Sequence, residues 1–169
     1  MRSAQLGCWV ALALTLGWTQ ARSQSDYWLV ASGEDSYVFV DASTIQKGTD
    51  GTIWAWVERV IEGEEVKAIG FKSDLAFVGI SCQFGTFSDA DEVEYDNHGH
   101  VVKTFPSDQT PYSRIVPDSF GEAEKNFLCA DYSRWALDKQ WTHLADFNQD
   151  VRDPVAFADS FYAFSHRPR

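Results

Sequence analysis

The chain runs to 169 residues, 44 % of them hydrophobic, and carries 25 Asp plus Glu against 14 Lys plus Arg for a net charge of −11. Length and apolar content together suit one domain with a core of its own. The acidic surface repels phosphate backbones and anionic lipid headgroups, which argues against nucleic-acid binding and a polybasic membrane anchor and leaves cationic partners open.

Residues 1–23 read as a secretory signal. Arg2 and the amino terminus make a short positive region, Cys8 to Trp18 an apolar run, and Ala21 and Ser23 the small-residue positions of a cleavage site between Ser23 and Gln24. Arg2 and Arg22 are the only charged side chains lost, so the mature chain of about 146 residues keeps a net charge of about −13. The apolar run is shorter than the roughly 20 residues that span a bilayer, and no later segment comes close. A secreted product, in the periplasm or on the outer cell surface and without a transmembrane segment, is therefore expected. Gln5-Leu6-Gly7-Cys8 superficially resembles a lipoprotein box, but the apolar run follows this Cys instead of preceding it. Once Cys8 leaves, Cys82 and Cys129 remain as an even pair in a disulfide-permissive compartment. Their bridge would close a loop of about 48 residues and contribute roughly 4 kcal/mol in the chain-entropy treatment.

From Tyr27 to Phe105 the chain reads as short strands separated by polar turns. Tyr27 to Ala31 is the first and Tyr37 to Val40 the second, with Val38 and Val40 on one face and Tyr37 and Phe39 on the other. Ala42 to Lys47 suits one helical turn. In the strand Ile53 to Val60, the set Ile53, Ala55, Val57 alternates with Trp54, Trp56, Glu58. Val66 to Lys72 and Ala76 to Phe84 are predicted as the next strands, the latter apolar enough for burial on both faces and carrying Cys82. Glu92 to Tyr95 and His100 to Phe105 flank Asp96-Asn97-His98-Gly99, which is hairpin turn chemistry. Ser119 followed by Glu122 is a capping box that starts a helix near Phe120, running to about Ala130 with Ala123, Phe127 and Ala130 on one side. Leu137, Trp141 and Leu144 have the spacing of a short helical stripe, from which Trp135 and Phe147 depart. Asp153 and Pro154 suit the cap and first position of a last helix through about Phe164, with Phe157, Phe161 and Phe164 on one face that docks on the sheet.

The expected fold is α+β: an antiparallel meander of about six strands with a C-terminal helix packed on one face and one disulfide. Residues 24–130 form the domain, and 131–169 an aromatic, partly helical extension.

Chemistry-bearing patterns are sparse. Asp91, Glu92, Glu94, Asp96, His98 and His100 cluster around the hairpin, and imidazole with carboxylate can bind zinc or manganese, which makes Glu94, Asp96, His98 and His100 the metal candidates. Their spacing matches no ligand motif, and the same pattern describes the solvated face of an edge hairpin, which is the preferred account. There is no Gly-x-Ser-x-Gly elbow, no His-Glu-x-x-His and no glycine-rich phosphate loop. The chain is therefore expected to have no catalytic residues and no cofactor. Trp28, Trp54 and Trp56 are candidate partner-binding aromatics, since aromatic residues are enriched at interfaces; as core beneath the helix they would serve equally well.

The chain resembles the surface-adhesin protein E-like domain of Gram-negative bacterial envelope proteins, from about Asp26 to Ala130. The resemblance is carried by Tyr27-Trp28, Val38-Phe39-Val40-Asp41 with Ser43 and Ile45, the Trp54 strand, Ser81-Cys82, Tyr95-Asp96 with Gly99, Ile115-Val116-Pro117-Asp118-Ser119, and Cys129. It implies a disulfide between the two matching cysteines and no catalytic motif. The family's named member is a surface lipoprotein that binds host matrix and plasma proteins and can dimerise, so host or envelope proteins and a second copy of the chain are the implied partners. This chain departs from that member in lacking a well-placed lipobox and in continuing some forty residues beyond Cys129. The function expected is non-enzymatic binding of a protein or ligand, adhesin-like, with a periplasmic module that binds a small ligand or metal at the acidic hairpin as the alternative.

Overall fold

A computed structural model describes residues 25–106, 112–130, 140–147 and 153–166. The expected signal and cleavage site, Trp135 and Leu137 lie outside the described residues, as does the side chain of Phe164. In chain order the elements are β1 (Tyr27–Ser32), β2 (Ser36–Asp41), a 3-10 turn (Ala42–Thr44), β3 (Gln46–Lys47), β4 (Ile53–Ile61), α1 (Glu65–Ile69), β5 (Ser73–Ser81), β6 (Thr86–Tyr95) and β7 (Val101–Phe105). There follow β8 (Ser113–Arg114), α2 (Phe120–Leu128), β9 (Thr142–His143), α3 (Leu144–Phe147) and α4 (Pro154–Ser165).

The strands form one antiparallel sheet in the order β7, β6, β5, β4, β2, β1, β9. The six longer strands make the expected meander. The long strands β4 and β6 each take a second, two-residue partner, β3 and β8 respectively.

Helices cover both faces of this sheet, and the last helix docks on it as expected. On the first face Val38, Val40, Ala55, Val57, Ala76, Val78 and Ile80 pack beneath Phe127 and Leu128 of α2. On the second, Tyr37, Phe39 and Val60 meet Phe157 and Ala158 of α4 and Leu144 of α3. Double cover explains β2, in which Tyr37 through Val40 are all buried although they alternate between faces. Phe39 meets Phe157 edge to face at 5.8 Å, and Tyr37 meets Phe161 at 5.9 Å. Lys72, buried, bonds both Glu62 and Asp159 of α4, the latter at 2.8 Å, and so fixes the helix at the end of the sheet. Leu144 of α3 and Phe157 and Ala158 of α4 thus make these helices a layer on the second face of the sheet.

Caps fall where the residue types dictate. Ser119 accepts from the Glu122 amide, and Glu122 accepts from the Asp118 amide at 2.8 Å, closing the start of α2. Asp153 accepts from Val155 and Ala156 ahead of Pro154. Cys82 follows the end of β5 and Cys129 caps α2, and the two are bridged with their Cα atoms 5.8 Å apart.

Three expectations are corrected. Val66 to Lys72 is no strand: Glu65–Ile69 make the turn α1, ended by Gly70 at φ 89°, and the next strand begins at Ser73. Phe84 belongs to the tight turn between β5 and β6, where Gly85 at φ 61° reverses the chain and the Phe84 ring is exposed. Trp141 and Leu144 do not share a helical stripe. The pairing of β9 with β1 carries this segment over the sheet edge, delivering Trp141 to the α2 core and Leu144 to the α4 core. Among the described residues no helix is long and apolar enough to cross a membrane.

Candidate functional site

Alternation along β4 places Trp54, Trp56, Glu58 and Val60 on the α4 face. Trp54 and Trp56 form an aromatic surface there, while α4 covers the other end of the strand. Between the two, Glu58 stands at the base of a cleft of about 500 Å³. Its walls come from Tyr27 of β1, Leu75 of β5, Tyr95 at the end of β6, the Asp96–Gly99 turn and the start of α4 at Asp153. No Lys or Arg is among the described residues lining it.

The Tyr27 and Ser73 hydroxyls beside the Glu58 carboxylate favour its charged form. Burial nevertheless pushes Glu58 from an ordinary 4.5 up to about 7, with the nearby Asp153 charge adding to the rise and those two hydroxyls opposing it. The Tyr27 phenol is raised too, first by burial and then by the Glu58 charge. Asp153 spends one oxygen on the helix cap, and its charge faces the cleft. The arrangement is an acidic cleft partly walled by tyrosines, and it suits a cation: carboxylates supply charge and aromatic rings line the space beside them.

Of the residues singled out from sequence, Asp96 and His98 border this cleft. Asp96 is committed to its own turn: one oxygen accepts from the amides of His98 and His100, both at 2.8 Å, and the other lies 3.2 Å from His100 Nδ1. Those bonds hold its carboxyl below the usual range. The His98 and His100 rings are exposed, their centroids 6.0 Å apart. Glu94 sits opposite Asp74 in the sheet register, on the α2 face, away from the turn. Among the described residues no group of three or more His, Cys, Asp and Glu could hold a metal ion.

The sheet separates the three tryptophans. Trp54 and Trp56 flank Phe77 on the α4 face, each 5.2 Å from it, and all three are half-buried. Trp28 lies on the α2 face, stacked on His143 at 4.8 Å and tilted against Phe127 at 5.9 Å, where it packs on the core.

Two groups that the sequence did not single out matter more. Glu58 carries a readable signal, being a carboxylate in the alternating set of an otherwise apolar and aromatic strand. Glu124 is four residues after Phe120 and three before Phe127, which puts it on the inward stripe of α2, and it is buried there. Near it Arg59 donates from Nε and Nη2 to Asp74 at 3.0 and 2.8 Å, with Glu92 3.9 Å away. Burial raises the Asp74 carboxyl, and the guanidinium pulls it back down.

Comparison with known proteins gives no match to a family model, a curated protein or a solved structure.

Proposed function

We propose that the chain is an exported, non-enzymatic binding protein of the surface-adhesin protein E-like kind, and that it captures a cationic group in the cleft above Glu58. The observation that carries this reading is the lining itself: Glu58, Asp96 and Asp153 with Tyr27 and Tyr95, and no Lys or Arg among the described lining residues. The disulfide supports an oxidising compartment, in line with the signal read at residues 1–23. The strong acidic excess supports attraction of positively charged partners. A free polyamine and a Lys or Arg side chain on a host or envelope protein offer the same chemistry.

Calorimetric titration with spermidine and with a short Lys- and Arg-containing peptide tests the reading and tells the two sources apart. Binding is expected to strengthen between pH 6 and pH 8, because a cation draws the remaining proton from Glu58. It is expected to weaken about tenfold in Glu58→Gln and in Asp153→Asn, which keeps the helix cap while removing the charge. Absence of saturable binding by either cation, or binding that both variants retain, would refute it.

A further inference from the structure

A second cavity, of about 320 Å³, lies on the opposite face of the sheet, between β4 to β6 and the start of α2. Val57, Ala76, Val78 and Phe87 of the strands and Phe120 of α2 make its walls apolar. Its size is at the lower end for small-molecule sites. Glu124 enters this apolar space only 7 % exposed, and among the described residues its carboxylate has no hydrogen bond and no salt bridge. Arg59, which also lines the cavity and is the positive charge that acts on Glu124, is already held by Asp74 through two bonds. Asp89 adds a further negative charge to the lining, and Arg114 stands exposed at the rim.

A carboxylate this deeply buried, opposed only by a guanidinium already engaged elsewhere, is costly to keep charged. An apolar residue at this position would complete the stripe of α2 without that cost. We propose that the cavity is a second binding site, for a small primary amine on an apolar body, with the ammonium seated on Glu124 and the body packed against Val57, Val78 and Phe87. Such a ligand supplies the donor that Glu124 lacks and fills the apolar volume beside it. The electrostatics of the site agree: burial, with Asp89 and Asp74 adding to it and Arg59 opposing, lifts Glu124 to about 7, so a bound ammonium displaces a proton. The site is separate from the cleft above Glu58 and does not depend on the reading given for it.

Phenethylamine, 2-phenylethanol and hydrocinnamate share one apolar body and differ in head group, so they probe the seat directly. Calorimetry and thermal shift on the disulfide-bonded protein are expected to show saturable binding of phenethylamine, with the alcohol and the carboxylate at least about tenfold weaker. Glu124→Gln, nearly isosteric and free of a buried charge, is expected to keep the fold by circular dichroism and to lose about tenfold in amine affinity, both in the wild-type background and in a Glu58→Gln background that lacks the carboxylate of the other cleft. No saturable binding of the amine, equal binding by hydrocinnamate, or full affinity in Glu124→Gln would each overturn the proposal. So would a loss that follows Glu58→Gln instead, since it would put the amine in the other cleft.

Discussion

Gly79 lets the Trp54 indole lie close against the sheet. A Cβ at this position would sit 2.7 Å from two atoms of the ring, well inside contact distance. The indole is stacked on Phe77 and cannot swing away without giving up that contact. Gly79→Ala should therefore cost roughly 1 to 3 kcal/mol, as overpacking does, read from urea denaturation. A change of only a few tenths would mean that Trp54 is free to move, and that the aromatic surface it forms with Trp56 is loosely held. Glu58 and Glu124 illustrate a different effect at the same scale. Each is a carboxylate placed by ordinary periodicity at an inward position, and in each case burial rather than a charge partner dominates its titration.

Among the elements, α2 and α4 hold to the sheet by different means. A covalent tie joins the C-cap of α2 to the end of β5. The Phe157 and Phe161 contacts and the Lys72 bonds to Glu62 and Asp159 seat α4. Replacing both Cys82 and Cys129 with Ser should lower stability by about 2 to 4 kcal/mol, because the unfolded chain regains the entropy of a long open loop. Thermal melting under oxidising conditions, with the wild type measured alongside in reductant, checks this. If the double variant melts with the oxidised wild type, the bridge contributes little beyond the packing of Phe127 and Leu128.

For the whole molecule, pH acts in one direction on the buried carboxyls. Glu58 and Glu124 titrate near 7 when folded and near 4.5 when unfolded, so the folded state holds more protons between those values. Stability then falls as pH rises through that window, and acidifying from pH 8 to 5.5 restores it, by about 2 kcal/mol for each group. Calorimetric melting should show a higher Tm at pH 5.5 than at pH 8, and the Glu58→Gln, Glu124→Gln double variant should lose most of the difference. A Tm that drops on acidification would contradict the burial of both groups. The meander, the hairpin turn, both helix caps and the cysteine pair were legible in the sequence, because alternation, capping residues and turn glycines act over a few neighbours. Glu65–Ile69 misled, since Val66 and Ile69 suit a strand as well as a turn and only the missing sheet partner decides between them. Trp28 and Trp54 look alike in sequence, and the sheet parts them because cross-strand register assigns faces. The layer formed by α4, the cleft above Glu58 and the cavity around Glu124 each join segments far apart along the chain. Sequence by itself determined the local elements and the chemistry each one carries. Only the tertiary structure decided which carboxylates are stripped of water and what faces them, because burial depends on packing between elements that local pattern does not encode.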